Sequence, residues 1–179
     1  DTWHGVEINN LGCVEALILP NNNLTGNMSD LDLSGLKELF LEENGITGNI
    51  PNFLDMPNLE ILHLHENNLN GSLPNFTGLD SLKQLKLSNN QFTGAIPNFT
   101  DFSNLETLEL NNNNLAGSIP NLNLPALQKL NVSNNNIVGA IPDFINSPNI
   151  EILQLSNNNL TGVVPDLSTN LLQLRDLEI

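Results

Sequence analysis

Two histidines and a glutamate are the side chains whose spacing comes nearest to that of a metal site. His63 and His65 are two residues apart, so on a β-strand both point to one face, and the repeat described below puts Glu42 on the neighbouring strand. Two imidazoles and a carboxylate are a ligand set that zinc accepts. The sequence fixes no second shell of hydrogen bonds around them, and pairs of surface histidines arise by chance. We therefore predict no metal site and no cofactor.

Serine and cysteine give no better case for catalysis. Cys13 is the only cysteine, so the chain has no internal disulfide, and the repeat places no histidine beside it. Ser88 would lie beside His65, but no third group is placed to orient that histidine. We predict that the chain is not an enzyme and that Cys13 is a small buried residue next to Val14.

A repeat of 22 to 24 residues must position these side chains. Its consensus is Leu-x-x-Leu-x-Leu-x-x-Asn-x-Leu-x-Gly-x-Ile-Pro, and positions are numbered here from the first residue of each unit. Apolar residues at positions 4 and 6 alternate with polar ones at 3, 5 and 7, which predicts a short strand with one buried face. Successive strands then lie parallel, about 4.8 Å apart. After a cap segment at 1–13, the seven units are 14–35, 36–58, 59–81, 82–104, 105–126, 127–149 and 150–173, and 174–179 starts a truncated eighth.

Position 9 is asparagine in every unit. An inward asparagine is costly unless its amide is fully bonded, and the chain that leaves each strand has backbone groups without a sheet partner. We predict a structural ladder in which each amide bonds the turn of its own coil and of the adjacent coil. The ladder residues are Asn22, Asn44, Asn67, Asn90, Asn113, Asn135 and Asn158.

The second half of each unit predicts the opposite side of the coil. Position 16 is proline in units two to seven and Ser29 in the first, and prolines in the outer segments favour short turns over regular helices. Two residues later comes an apolar side chain, which predicts a second apolar spine. Its members are Phe53, Phe76, Phe99, Leu122, Phe144 and Leu167.

The consensus resembles the plant-specific class of leucine-rich repeats, which occurs in receptor-kinase ectodomains and in inhibitors of secreted polygalacturonases. The opening Trp3-His4-Gly5-Val6, followed by Cys13, is similar to the first segment of those ectodomains. Glu7 stands where the family has a second cysteine, so an algal, protist or bacterial relative is expected. The resemblance implies an α/β-type solenoid dominated by β: a right-handed leucine-rich-repeat superhelix with a parallel concave sheet and short 3-10 or turn segments on the convex side. It also implies a non-catalytic module whose concave face binds proteins, peptides or glycans.

The net charge of −15, without any basic run, disfavours nucleic acid and anionic membrane surfaces as partners. Nor is any apolar stretch long enough to insert into a membrane. The outer segments hold only acidic charges, and we interpret that side as a solvated surface. Position 2 alternates acid and base except at Gln128, which predicts a ladder of ion pairs between neighbouring strands. Its members are Glu15, Lys37, Glu60, Lys83, Glu106, Gln128, Glu151 and Arg175.

The concave columns differ between the two halves of the chain. In the C-terminal half these columns carry small or amide groups: Asn111, Asn112, Asn131, Ser133, Asn134, Gln154, Ser156 and Asn157. The N-terminal half carries the residue types that binding surfaces favour. We predict a ligand-binding patch there, and call it the concave patch. It consists of Phe40, Glu42, Glu43, Ile61, His63, His65, Glu66 and Lys86.

Six Asn-x-Ser/Thr triplets occur, which an asparagine-rich repeat generates automatically. If the protein is secreted from a eukaryote, Asn75 and Asn98 on the outer edge are the candidates for glycosylation, whereas a glycan on Asn131 would obstruct the concave face.

Three functions remain open from the sequence. The first is an extracellular or cell-surface recognition module that binds a protein, peptide or glycan. The second is a structural, assembly or adhesion role, with end-to-end contact through the apolar tail at 171–179. The third is ice or polysaccharide binding by flat rows of Asn, Ser and Thr.

Overall fold

The computed structural model describes residues 4–28, 34–51, 53, 56–100 and 102–179. Some residues named above therefore lie outside the described part of the chain. These are Trp3 of the opening segment and Ser29 of the first unit.

Sixteen strands form within the described residues, two in almost every coil. They are β1 Val6–Ile8, β2 Val14–Ile18, β3 Thr25–Asn27, β4 Glu38–Phe40, β5 Gly45–Gly48, β6 Ile61–His63, β7 Asn68–Ser72, β8 Gln84–Lys86, β9 Gln91–Ala95, β10 Thr107–Glu109, β11 Asn114–Gly117, β12 Lys129–Asn131, β13 Asn136–Gly139, β14 Ile152–Gln154, β15 Asn159–Leu160 and β16 Asp176–Glu178. The concave sheet has the order β1-β2-β4-β6-β8-β10-β12-β14-β16, and a second sheet has the order β15-β13-β11-β9-β7-β5-β3.

Equal positions of successive units lie side by side. Leu39 pairs with Leu62, Leu62 with Leu85, and Leu85 with Leu108, all in parallel register. These leucines are fully buried and form one continuous core along the stack. The predicted fold class, a β-dominated leucine-rich-repeat superhelix with a parallel concave sheet, is confirmed.

The position-9 asparagines bond two coils at once. The Oδ1 of Asn67 accepts from Ile46 N at 3.0 Å, and its Nδ2 donates to Leu41 O at 2.9 Å and to Leu64 O at 3.2 Å. The same pattern recurs up to Asn158. From Asn44 onwards, each amide thus satisfies backbone groups of its own coil and of the preceding one, where the chain has left the concave sheet. The prediction was wrong for Asn22, whose exposed side-chain amide bonds only Pro20 O of its own coil among the described residues, because it lies in the first coil.

The second sheet was not anticipated from the sequence. Its strands follow each position-9 asparagine. The five central strands, β5, β7, β9, β11 and β13, each bury one apolar side chain, as Leu69 does in β7, whereas β3 buries none and Leu160 of β15 is half-buried. One buried residue gives no period-two pattern, so the alternation that identifies a strand is missing. The asparagine ladder supplies the order instead, because its Oδ1 atoms hold the start of each such strand.

The segments that close each coil are turns. Bonds between residues three apart occur at Leu79 N to Phe76 O (3.3 Å) and at Ser147 N to Phe144 O (2.9 Å), and the described residues contain no regular helix. The predicted outer spine is confirmed, because its six members are at most 7% exposed. Phe99 and Phe102 stack with ring centroids 5.4 Å apart. In the described residues no helix combines the length and apolarity that a membrane crossing requires.

At the N-terminal end, β1 pairs antiparallel with β2 and covers the first coil. The prediction that Cys13 is buried was wrong: its thiol is free and the residue is exposed. Cys13 follows a turn in which Leu11 N and Cys13 N both donate to Asn9 Oδ1, and that turn lies outside the leucine core.

Candidate functional site

The concave patch is carried by three neighbouring strands and the residues that follow them. Phe40, His63 and Lys86 are register partners at position 5 of β4, β6 and β8. Ile61 lies two residues before His63 on the same face and is half-buried, as are Phe40 and Lys86. Apolar surface and an ammonium group therefore lie side by side.

His63 forms the floor of the patch. Its ring meets Phe40 edge to face at 4.9 Å and His65 at 5.8 Å, and its Nε2 lies 3.1 Å from Gln84 Oε1. Burial, helped by the positive charge of Lys86, lowers the pKa of His63 to about 4. The expectation that His63 is an exposed contact was wrong, since only 8% of the residue is accessible. Neighbouring side chains in its row cover the ring.

Glu42 and His65 occupy position 7 of adjacent coils and are half-buried. Glu42 Oε2 and His65 Nδ1 are buried atoms without a hydrogen-bond partner. The zinc arrangement considered from the sequence finds no support: across the described ranges, no three His, Cys, Asp or Glu side chains are grouped to hold a metal ion. In addition, the Nε2 atom of His63 is already engaged with Gln84 Oε1.

Two glutamates of the patch have an unusual backbone. Glu43 and Glu66, at position 8, have φ of 55° and 56°, in the left-handed region where most side chains are disfavoured. The other units place asparagine at this position, which tolerates that conformation. Those residues are Asn21, Asn89, Asn112, Asn134 and Asn157. The sequence shows that Glu replaces Asn at this position in two units. Only the backbone angles show that the two glutamates adopt a conformation that asparagine tolerates better.

Ion pairs elsewhere on the concave sheet use most of its positive charge. Position 2 contributes Glu15–Lys37 at 2.9 Å, Glu60–Lys83 at 2.7 Å and Glu151–Arg175 at 2.7 Å. Each base thus pairs with the preceding acid, so the column forms separate pairs and not the continuous ladder that was expected. The hydrogen bond to Lys37 lowers the pKa of Glu15.

Lys129 is in position 3 and pairs diagonally with Glu109 of the preceding strand. Four of the five basic residues are therefore neutralised within the chain. Lys86 makes no ion pair with any described residue. It is the cation that remains for a partner, and it lies in the concave patch.

The candidate glycosylation residues lie away from this surface. Asn75 and Asn98 are exposed, and each precedes a buried phenylalanine of the outer spine. Asn131 is different, because its Oδ1 accepts bonds from Ser133 N at 3.0 Å and from Ser133 Oγ at 2.7 Å on the concave sheet.

Two family models for leucine-rich repeats match most of the chain. The first, described as leucine-rich repeats in two copies, matches residues 34–78, 80–122 and 103–146. The second, described as a leucine-rich repeat, matches residues 125–179. No curated protein matches the sequence.

Solved structures of plant receptors share the architecture. The leucine-rich-repeat ectodomain of the Arabidopsis thaliana membrane receptor kinase GASSHO1/SCHENGEN3, in complex with CASPARIAN STRIP INTEGRITY FACTOR 2, matches 98% of this chain with a TM-score of 0.85 and 30% identity. This chain spans 25% of the length of that receptor chain. Pollen Receptor Kinase 3 matches with a TM-score of 0.79 and 28% identity, over 92% of this chain and 84% of its own.

A plant ice-binding protein also matches, with a TM-score of 0.77 over 99% of this chain and 68% of its own. At 24% identity that likeness concerns the fold alone. The repeat, the two sheets and the family matches together show that this chain belongs to the leucine-rich-repeat family and is built like a plant receptor-kinase ectodomain.

Proposed function

We propose that this chain is a non-enzymatic recognition module that binds a protein or peptide through the concave patch. The observation that carries the proposal is where polar and charged groups without a partner in the described part of the chain are located. The unpaired base Lys86 is the register neighbour of His63, which is the register neighbour of half-exposed Phe40. The unpartnered atoms belong to Glu42 and His65, which follow Phe40 and His63 by two residues. Elsewhere on this sheet, Lys and Arg side chains are engaged in internal ion pairs.

The patch combines the features of a protein-binding surface. An aromatic ring and an aliphatic side chain, Phe40 and Ile61, supply apolar contact area in the centre, and charged groups form the rim. A glycan would more often be held by amides, which this chain has in its C-terminal half. The similar Arabidopsis receptor kinase HAESA was solved in complex with the peptide hormone IDA and the co-receptor SERK1, which supports a protein or peptide as the class of partner.

Comparative capture from the native extracellular milieu tests the proposal. Three immobilised forms are compared: the unchanged chain, Phe40→Ala/Lys86→Ala, and the control Gln154→Ala/Glu178→Ala. The control changes position 5 of the last two strands of the same column. We expect a protein or peptide that the unchanged chain and the control retain, and that the patch variant loses at least about tenfold. Equal retention by all three forms would refute the concave patch, provided that their thermal unfolding is alike.

Extracellular location is part of this proposal, and it is supported by the likeness to receptor ectodomains. We propose Asn75 and Asn98 as glycan acceptors, because both are exposed and far from the concave patch. Secretion from a eukaryotic host, followed by glycopeptide mass spectrometry, should find glycans at these residues and not at Asn131. Occupancy of Asn131 above that of Asn75 and Asn98 would contradict it.

Ice or polysaccharide binding is a second candidate, favoured by the second sheet. There the position-10 side chains form an exposed row of amides on successive parallel strands. The row contains Asn68, Gln91, Asn114, Asn136 and Asn159. Shaping of ice crystals or retention on insoluble glycan by the unchanged chain, lost on replacing Asn114 and Asn136 by lysine, would establish it. Absence of both activities eliminates it.

A further inference from the structure

The outward side of the second sheet is a broad surface without charge. It consists of positions 10, 12 and 14 of the seven coils, and we call it the second-sheet face. None of these positions holds Asp, Glu, Lys, Arg or His, although the chain has a net charge of −15. The concave sheet and the outer turns expose acidic side chains, such as Glu43 and Asp143. A second negatively charged molecule therefore approaches the second-sheet face with less repulsion than it meets at those two surfaces.

The short side chains of this face lie at one level. Ala116 pairs with Ala95 of the preceding coil, and Thr93 pairs with Ser72, both in parallel register. No side chain projects between them at Gly117, which has φ of 78°, and a Cβ on this residue would lie 3.4 Å from the Cβ of Ala95. A level surface of this kind can contact another level surface over many residues at once.

Part of the second-sheet face is apolar. Val138 is 46% exposed and Val163 is 84% exposed. Ala95, Ala116 and Ala140 occupy neighbouring places at positions 12 and 14 of the same part of the face. Amide and hydroxyl side chains predominate at position 10 and in the first three coils. An apolar area bordered by polar groups is the usual composition of an interface between proteins.

The size of the face matches what a stable dimer needs. An interface of ordinary size takes about 20–30 residues from each partner. Three positions in each of seven coils reach the lower end of that range. The exposed valines leave water when they are covered, and this favours association.

A second copy of this chain fits the face better than a charged partner does. Amide and hydroxyl groups both donate and accept hydrogen bonds, so a face built from them is complementary to itself. A charged group placed against it would lose water without gaining an opposite charge. In a two-fold dimer each copy offers the same patch, so no unpaired charge is buried.

We propose that two copies of this chain bind each other through their second-sheet faces. Both concave patches stay exposed in such a dimer, because they lie on the other sheet. The net charge of −15 on each copy opposes association at low salt, and added salt screens that repulsion. The dimer therefore becomes tighter as the salt concentration rises.

Sedimentation velocity of the full chain over a range of concentrations tests the proposal. A reductant keeps exposed Cys13 from linking two copies, and the protein is produced without glycans because Asn75 and Asn98 lie three residues beyond position 14. We expect a monomer–dimer equilibrium whose dissociation constant falls at least about threefold between low and high salt. A chain that stays monomeric at about 100 µM in high salt overturns the proposal.

A matched pair of variants locates the interface. Asn114→Asp/Asn136→Asp adds two negative charges to the second-sheet face of each copy with almost no change of shape. Asn123→Asp/Asn146→Asp makes the same change at exposed positions of the same two coils, outside the face. We expect the first variant to raise the dissociation constant at least about tenfold and the second less than about twofold, because like charges that meet across an interface repel each other.

The other outcomes assign the face or the contact elsewhere. Equal dimerisation of the two variants, with alike thermal unfolding, would place the contact on another surface, such as the apolar tail at 171–179, and would refute the proposal. A monomeric chain that shapes ice or is retained on insoluble glycan would give the face to the second candidate function. None of these results bears on the concave patch, whose capture experiment has its own variants.

Discussion

The rings of Phe40 and His63 meet edge to face, with centroids 4.9 Å apart and planes at 89°. This contact joins neighbouring strands of the concave sheet and covers the imidazole from one side, while Gln84 engages its Nε2. Phe40 therefore has two roles in our interpretation. It is a contact residue of the proposed concave patch, and by covering His63 it helps to keep that imidazole neutral.

Acidification should destabilise the protein through His63. Its folded-state pKa of about 4 lies below the ordinary value of 6.5, so between these pH values the unfolded chain binds the extra proton. The contribution is complete above pH 6.5 and is lost as the pH falls towards 4. It amounts to about 3 kcal/mol in full, of which about 2–3 kcal/mol is lost by pH 4.5.

Urea unfolding at pH 7 and pH 4.5 measures this loss. Many carboxylates titrate in the same range, so the comparison must be made with His63→Gln, which keeps a polar side chain but cannot gain the charge. The unchanged chain should lose about 2–3 kcal/mol more than the variant. An identical pH dependence of the two proteins would contradict the assignment to His63.

Loss of a central asparagine should destabilise far more than loss of the first one. Asn113 is buried. Its Oδ1 accepts from Phe92 N at 3.0 Å, and its Nδ2 donates to Leu87 O at 3.0 Å and to Leu110 O at 3.0 Å. Asn22 is exposed and donates only to Pro20 O at 2.8 Å among described partners. We expect Asn113→Ala to cost at least about 2 kcal/mol in urea unfolding, and Asn22→Ala less than about 1 kcal/mol. Equal effects would mean that the amides do not act through buried backbone groups.

Relief of the left-handed backbone at position 8 should stabilise the chain. Glu66 has φ of 56°, and asparagine adopts that conformation in the equivalent place of other coils. Glu66→Asn should therefore raise the free energy of unfolding by about 0.5–1 kcal/mol. If the concave patch binds a partner, the same variant should weaken capture. A variant that is neither more stable nor weaker in capture would show that Glu66 is an ordinary surface residue.

A lysine at position 128 should complete the interrupted column at position 2. Gln128 N donates to Glu106 O at 2.9 Å, and Glu151 N donates to Gln128 O at 2.8 Å, so the side chain lies between two acids. Gln128→Lys should raise the Tm by about 1–2 °C at low salt, and the gain should vanish at high salt. Lysine at exposed Ser103, a change of equal charge, is the control. A gain of equal size at Ser103 would indicate a general charge effect.

The repeat predicted the concave sheet and its register because equal offsets recur in every coil. It could not predict the second sheet, whose strands bury at most one side chain each and are ordered by hydrogen bonds that their backbone N–H groups donate to residues such as Asn67 and Asn90. The column positions of the concave patch were also readable, but the burial of His63 was not. Burial depends on how Phe40 and Gln84 orient in three dimensions. The unpartnered atoms of Glu42 and His65 are likewise a property of geometry and not of spacing.

The amide that ties each coil to the one before has a consequence for length. Asn113 bonds the coil of Leu87, and Asn135 bonds that of Leu110, with the same donors and acceptors. Excision of residues 105–126 would therefore present Asn135 with equivalent partners in the coil of Leu87. We therefore expect that a whole coil can be removed or added while each remaining asparagine keeps equivalent backbone partners. The length of the stack can thus change by one coil at a time, while the concave patch around Phe40 keeps the same residues.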